Sequence, residues 1–197
     1  MTHRVNAAGR TQPLIVGIGG TTRPSSSTER ALRMALQAAQ DAGARTTIFD
    51  GPSLAVLPHY IPEHPERNEG QRRLVDAVRE ADGLIVATPG YHGGVSGLVK
   101  NGLDLLEDLR DDERCYLDGR AVGCIVNAAG WQACVSTLGA LRSIVHALRG
   151  WPTPFGATLN TSEKLFDDSG ACKDEKIAAQ LALVGRQVVE FARGFRS

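Results

Sequence analysis

Short apolar runs alternate with longer amphipathic segments along most of this chain, and this alternation limits its fold more than any other feature. The runs at residues 13–18, 83–87 and 121–126 are almost continuously apolar, as expected for strands that are covered on both faces. The segments between them have apolar residues at helical spacing. That spacing predicts helices over residues 29–42, 69–81, 95–109, 133–148 and 177–191.

Two further strand candidates differ in character from the first three. Residues 45–50 alternate and contain threonines, while residues 153–159 follow Pro152 and include Pro154. Both features indicate edge strands, because an edge is wetter and can lack main-chain donors. Repeated βα units with right-handed crossovers predict a parallel doubly wound α/β sheet, and edge positions for strands two and five select the order 2-1-3-4-5. A ligand is then expected beyond the carboxyl ends of strands one, three and four.

The size and charge of the chain restrict its organisation and its partners. Its 197 residues predict a single domain over residues 13–197, preceded by a flexible tail over residues 1–12. Basic and acidic side chains number 22 each, so no net field attracts nucleic acid or an anionic membrane. We expect neither a signal peptide nor a membrane span, because no stretch has the required apolar length. The four cysteines show neither CxxC nor metal-ligand spacing, which indicates free thiols in a reducing cytoplasm and no metal site.

The loop after strand one reads GGTTRPSSSTER over residues 19–30. Its glycines permit a tight turn, and its hydroxyls and the Arg23 guanidinium can donate to phosphate oxygens. The N-terminus of the next helix adds N–H groups and a favourable dipole. These features predict a site for a terminal phosphate monoester. A capping box of Ser26 and Glu29 would explain part of the pattern without a ligand, but it would not explain Arg23.

The same loop partly matches a dinucleotide-binding fingerprint. The glycines of residues 17–20 resemble its start, and Asp50 closes strand two where a ribose-binding acid belongs. Thr22, however, occupies the third glycine position, and hydroxyls and an arginine replace the bare backbone that a pyrophosphate needs. We therefore interpret Asp50 as a turn residue ahead of a Gly-Pro pair.

The loop after strand three reads TPGYHGGVSGLVKNGLD over residues 88–104. Its proline and glycines are expected to prevent regular structure, so that the main chain bends beside Tyr91 and His92 and offers N–H groups to a flat ligand. This segment resembles the pattern TPxY, then N or H and G, then SGxLKNxLD, of the NAD(P)H-dependent FMN reductases. The first loop also resembles that family's phosphate loop. The matching positions there are Gly20, Thr21, Arg23, Ser26 and Thr28.

The resemblance extends from residue 13 to about residue 160 and implies a flavodoxin-like three-layer sandwich around a five-stranded parallel sheet. It implies that FMN is the cofactor and that NADPH or NADH is the electron donor. The phosphate would be held by Thr21, Arg23, Ser26, Ser27 and Thr28. The isoalloxazine ring would lie against Pro89, Gly90, Tyr91, His92 and Gly93. Further contacts would come from the loop after strand four, at Ala128, Ala129, Gly130 and Trp131.

Some of these positions depart from the family pattern or have a plainer explanation. Gly90 stands where the family often has glutamate, and an alanine pair stands at 128–129 where the family often has glycines. His92 is equally consistent with a solvated loop histidine, and Trp131 with packing at a helix start. A polar group on the next helix is interpreted as a capped, solvated or subunit-facing surface. Its members are Lys100, Asn101 and Asp104.

The resemblance implies an NAD(P)H:FMN oxidoreductase, either supplying reduced flavin to a partner such as a flavin-dependent monooxygenase or reducing a small acceptor. No catalytic side chain is expected, because the cofactor carries the chemistry and backbone N–H groups of the Tyr91 and Gly130 loops would stabilise charge on the ring. A quinone, azo or metal-ion reductase with bound FMN, a flavodoxin-type electron carrier and a nucleotide-binding module without turnover remain alternatives. The family is usually homodimeric or homotetrameric.

Overall fold

A computed structural model describes residues 12–195, so the predicted tail lies outside the described residues except for Gln12. Seven strands form one sheet within this range. They are β1 Leu14–Gly19, β2 Arg45–Phe49, β3 Gly83–Tyr91, β4 Gly94–Val95, β5 Ala121–Ala128, β6 Trp151–Pro152 and β7 Ala157–Asn160. The helices are α1 Ser27–Asp41, α2 Gly51–Ala55, α3 Glu69–Glu80, α4 Gly97–Asp104, α5 Trp131–Ala147 and α6 Glu175–Phe195, and a 3₁₀ helix at Leu105–Leu109 continues α4.

The main parallel strands run in the order β2-β1-β3-β5, with β6 and β7 both paired to the outer side of β5. This confirms the predicted α/β fold and the order of its five strand positions. The predicted count of five strands is wrong for two reasons. The fifth position is divided into β6 and β7 around Pro154, which has no N–H for the ladder. In addition, β3 turns back into the short antiparallel strand β4.

Helices cover both faces of the sheet and produce two separate cores. On one face, buried side chains of α3, α4 and α5 pack against Val16, Val86 and Val126. On the other face, α1 and α6 pack against Ile15 and Ile125. Neighbouring residues of a strand point to opposite faces, so nearly continuous apolar strands are what this three-layer arrangement requires.

Strand register brings several loops to the same edge of the sheet. Gly19 at the end of β1 lies opposite Ala87 of β3, and Pro89 of β3 lies opposite Asn127 of β5. Farther out, Ala128 of β5 lies opposite Asn160 at the end of β7. The loops that follow β1, β3, β5 and β7 are therefore neighbours at the carboxyl edge.

Two absences apply to residues 12–195. No helix in that range is both long and apolar enough to cross a membrane. The His, Cys, Asp and Glu side chains of the same range form no cluster of three or more that could hold a metal ion.

Candidate functional site

The β1–α1 loop passes very close to two neighbouring backbones. Gly19 has φ +151°, and an added Cβ would lie 2.0 Å from the carbonyl oxygen of Ala87. A Cβ on Gly51 would lie 1.7 Å from the carbonyl oxygen of Thr21. Only glycine fits at both points, so the loop is clamped between β3 and the start of α2.

Within this loop the predicted phosphate-binding residues surround the start of α1. Ser26 is the N-cap, and its Oγ accepts the N–H of Glu29 at 3.2 Å. The Glu29 carboxylate accepts the N–H of Ser25 at 3.1 Å, so the reciprocal half of a capping box falls one residue early. The Thr21 hydroxyl accepts the main-chain N–H of Arg23 at 3.2 Å and closes the turn. Ser26 and Thr28 are buried, whereas Ser27 is half-buried at the helix start.

Arg23 is exposed and lines a groove of about 530 Å³ between the start of α1 and the segment after β7. Arg30 lies in the same groove and was missed in the sequence analysis. Its Nε donates to the carbonyl of Ser25 at 2.9 Å and its Nη1 to the carbonyl of Asp167 at 2.6 Å. Arg30 thus joins the β1–α1 loop to the segment after β7 and places a second guanidinium beside Arg23. In the sequence, the spacing of Arg30 from Ser26 along the predicted helix was the signal that could have indicated a role at this loop.

The Asp50 carboxylate makes local hydrogen bonds, as expected for a turn residue. It is the N-cap of α2, and its carboxylate accepts the main-chain N–H of Ser53 at 3.1 Å and the Ser53 hydroxyl at 2.7 Å. Arg33 donates to the same carboxylate at 3.1 Å. Burial alone would raise the pKa of Asp50, but these hydrogen bonds and the Arg33 charge lower it overall. A ribose-binding role for Asp50 therefore has no support in its contacts.

The segment after β3 is more regular than the sequence analysis predicted. β3 continues through Pro89 and Gly90 to Tyr91, and it pairs antiparallel with β4. Positive φ angles at His92 (52°) and Gly93 (79°) form the two-residue turn that β-hairpins favour. The prediction of an irregular loop is wrong, because proline and glycine are tolerated where the strand leaves the sheet. Tyr91 is 57% exposed at the tip of this hairpin.

The loop after β5 leads into α5 through Gly130, which has φ +112°. The helix begins at Trp131 and has no side-chain N-cap hydrogen bond among the described residues. The loop, the first turn of α5 and the β3–β4 turn together line a cavity of about 450 Å³. Its lining residues are His92, Gly93, Ala129, Gly130, Trp131, Gln132, Ala133 and Ser136. Five of the nine residues predicted for the third and fourth loops therefore line one cavity, whereas Pro89, Gly90, Tyr91 and Ala128 are not part of its lining.

Two asparagines at this edge were not predicted as site residues. Asn127 is 4% exposed, and neither polar atom of its amide has a partner among the described residues. Asn160 accepts the N–H of Gly130 at 3.0 Å. Both are asparagines at or next to the carboxyl end of an otherwise apolar strand, and that position was the signal available in the sequence. Buried amides are normally hydrogen-bonded, which makes Asn127 a candidate contact for a bound polar group at this edge.

Part of the surface formed by Lys100, Asn101 and Asp104 has a structural role. Asn101 accepts the N–H of Tyr60 at 2.8 Å and donates to the carbonyl of Pro58 at 3.1 Å, fixing the proline-rich segment to α4. Lys100 and Asp104 form an exposed ion pair. A cleft of about 610 Å³ lies beside this segment, but its Arg67 and Asp108 are already paired, with two N···O distances of 2.9 Å. The cleft lies away from the converging loops and is not the candidate site.

Comparisons with known proteins identify the family of this chain. A family model described as NADPH-dependent FMN reductase matches residues 13–163, which confirms the family resemblance found in the sequence. The FMN-dependent NADPH-azoreductase of Staphylococcus aureus is 30% identical over 132 residues, covering 66% of this chain and 66% of that protein. The chain thus matches slightly less than two thirds of that relative's length.

Solved structures share the fold over nearly the whole chain. An apo NADH:FMN oxidoreductase, EMOB, superposes with a TM-score of 0.68 at 23% identity, covering 93% of this chain and 90% of that one. The flavoenzyme NAD(P)H:acceptor oxidoreductase FerB of Paracoccus denitrificans superposes with a TM-score of 0.74 at 18% identity, covering 92% and 98%. These likenesses confirm the flavodoxin-like fold.

Proposed function

This chain belongs to the NADPH-dependent FMN reductase family, and from that premise we propose that it binds FMN and reduces it with a nicotinamide nucleotide. The observation that carries the proposal is the convergence of three loops at one edge of the sheet. A hydroxyl- and arginine-bearing loop at the start of α1 suits a phosphate. The β3–β4 hairpin and the loop before α5 share a cavity that suits a flat ring.

The chemistry of the residues present is compatible with FMN. The phosphate is held by the first-turn N–H groups of α1, the hydroxyls of the loop and the Arg23 guanidinium, with Arg30 adding positive charge. This phosphate set comprises Thr21, Arg23, Ser26, Ser27 and Thr28. The unpaired amide of Asn127 lies on β5, opposite Pro89 of β3, and the sugar-alcohol chain of FMN is a hydroxyl-rich partner of the kind that it lacks.

The ring would be held on the hairpin side by Pro89, Gly90, Tyr91, His92 and Gly93, and on the side of the α5 loop by Ala128, Ala129, Gly130 and Trp131. The chemistry that FMN would supply when bound is to accept hydride from the nicotinamide and to pass electrons to an acceptor. The chain's own contribution is to orient the ring and to direct main-chain N–H groups at its polar edge. The exposed Trp131 side chain, 60% accessible, flanks the cavity where a nicotinamide would approach. No side chain is assigned a proton-transfer role.

We propose NADPH as the donor, following the family description, and we propose that a small molecule or a partner monooxygenase receives the electrons. The azoreductase relative makes an azo compound the first acceptor to test. We also propose a homodimer or homotetramer in the cytoplasm. Exposed Tyr91, Trp131 and Val135 around the cavity favour subunit contact there, and four free cysteines fit a reducing compartment.

The phosphate assignment is tested by comparing FMN with riboflavin, which lacks the phosphate. We expect Arg23→Ala to weaken FMN binding about 10- to 100-fold, the effect of losing one charge-assisted hydrogen bond, and to leave riboflavin binding unchanged. Arg45→Ala is the matched control, because Arg45 is an exposed arginine at the start of β2, at the opposite edge of the sheet. Equal losses for both flavins, or no loss, would contradict the assignment.

The activity is tested by NADPH oxidation with the FMN-loaded protein, with and without an azo acceptor, and with NADH in parallel. A reductase should oxidise NADPH repeatedly. Oxidation of NADH alone would contradict NADPH as the donor, and FMN binding without oxidation of either nucleotide would instead identify an electron carrier. An absence of FMN binding would overturn the proposed function altogether.

A further inference from the structure

The loop before α5 is held by β7 in addition to the contacts of its own helix. Asn160, the last residue of β7, accepts the N–H of Gly130 at 3.0 Å and the N–H of Ser162 at 3.1 Å through the same Oδ1 atom. The N–H of Thr161 donates to the carbonyl of Ala128 at 2.9 Å. The Asn160 side chain and the Thr161 main chain therefore together hold the segment where the chain turns from β5 into α5.

This turn determines the direction of the first donors of α5. The helical hydrogen bonding starts with the N–H of Cys134, which donates to the carbonyl of Gly130 at 3.2 Å. The preceding N–H groups of residues 131–133 have no acceptor within the helix, as in the first turn of any α-helix. These residues line the cavity shared with the β3–β4 turn. The positive end of the α5 dipole, carried by these N–H groups, is thus directed towards the proposed ring site.

We propose that Asn160 is a positioning residue for flavin reduction: by holding Gly130, it keeps the N-terminus of α5 against the edge of the ring that becomes negative on reduction. This inference rests on the proposed FMN site and identifies a residue outside the three converging loops as one that sets its redox properties. The physical reason is that fixed donors stabilise developing charge only while they remain aimed at it. Asn160 does not touch the ring; it acts through Gly130.

A positioning role differs measurably from a merely structural one. Reduced FMN carries more negative charge than oxidised FMN, so displaced donors weaken binding of the reduced form more than that of the oxidised form. A purely structural tie would weaken both forms equally. The two-electron midpoint potential of the bound flavin reports this difference directly, and it does not depend on turnover.

The test compares wild type with Asn160→Ala, which leaves the N–H groups of Gly130 and Ser162 without this acceptor. We expect reduced FMN to lose about tenfold more affinity than oxidised FMN, which corresponds to a midpoint potential about 30 mV lower. Asn101→Ala is the matched control. Asn101 also makes two hydrogen bonds to main chain, but it joins the proline-rich segment to α4, away from the ring cavity. Asn101→Ala should leave the potential of bound FMN unchanged.

Asn160→Ser decides the question if the alanine variant does not fold. Its hydroxyl is shorter than the asparagine amide and stays near the main chain of residue 160, so the fold should be retained while Gly130 is no longer held and the potential falls. An unchanged potential in the folded variants would overturn the role of Asn160, as would equal weakening of both FMN forms. Wild-type protein that binds no FMN would instead overturn the proposed function, so the two failures are distinguishable.

Discussion

Replacing Gly90 by alanine tests how closely the β3–β4 hairpin packs against α5. A Cβ at this position would lie 2.8 Å from Oγ1 of Thr137 and 3.0 Å from Cβ of Ala128. Thr137 is fully buried on α5, and its branched side chain has little rotational freedom there. The extra methyl group therefore forces the hairpin and α5 apart instead of displacing a flexible side chain.

The size of the effect follows from the cost of overpacking. Inserting one methyl group into a well-packed region costs typically about 1–3 kcal/mol, so we expect Gly90→Ala to lower the free energy of unfolding by about 2 kcal/mol. In the double variant, Thr137→Ala should restore at least about 1 kcal/mol of the unfolding free energy that Gly90→Ala removes, because it deletes the atom that the new methyl group meets. The Thr137 hydroxyl has no hydrogen-bond partner among the described residues, so its removal breaks no such bond.

The measurement is urea denaturation of the wild type, the two single variants and the double variant, followed by circular dichroism. Gly97→Ala is the matched control, since a Cβ there meets nothing within 4 Å at the start of α4. Its unfolding free energy should stay within about 1 kcal/mol of the wild-type value. Equal stability of Gly90→Ala and wild type, or the absence of any rescue by Thr137→Ala, would refute this packing.

Two further predictions concern titratable groups. Because the folded-state pKa of Asp50 is lowered, its stabilising contribution is present above the ordinary aspartate range and is lost as the pH falls. Asparagine also serves as an N-cap, so Asp50→Asn removes mainly the charge. The difference in unfolding free energy between wild type and this variant should therefore shrink below about pH 4. A difference that stays constant with pH would contradict this. Burial raises the pKa of Cys124 to about 12 and also raises the pKa of Cys134. A thiol reagent at neutral pH should therefore label only the half-buried Cys115 and Cys172 in the folded protein. Rapid labelling of all four thiols in the folded protein would contradict the burial of Cys124 and Cys134.

The central part of the fold could be predicted because its signal is long and repeated. The three nearly continuous apolar runs correspond to β1, β3 and β5, and the helical spacing correctly predicted α1, α3, α5 and α6, with ends shifted by a few residues. Threonine content and proline correctly placed strands two and five at the edges. These features survive because burial on both faces imposes the same demand along a whole strand.

Short elements escaped prediction because single contacts determine them. The helix α2 depends on its Asp50 cap, and α4 starts only at Gly97 because the Ser96 hydroxyl accepts the N–H of Val99 at 3.3 Å. The segment predicted as one helix over residues 95–109 therefore divides into a strand residue, α4 and a 3₁₀ helix. Periodicity over a long window cannot resolve boundaries of this kind.

The candidate site was predictable where a motif carries the chemistry and not where a tertiary contact does. Arg23 and Ser26 stand out in the sequence through their residue types and spacing. The sequence positions of Arg30, Asn127 and Asn160 are only weak signals, because many residues without a site role share such positions. Tertiary contacts distinguish them: Arg30 and Asn160 join segments more than 25 residues apart, and the Asn127 amide is unpaired among the described residues.

A crystal structure of the FMN-loaded protein tests the central claim most directly. The proposed site requires the phosphate to lie within about 3 Å of donors at the start of α1 and on Arg23, with the ring between the β3–β4 hairpin and the first turn of α5. A phosphate bound elsewhere, for example in the cleft beside Arg67, or a ring away from the hairpin, would contradict it.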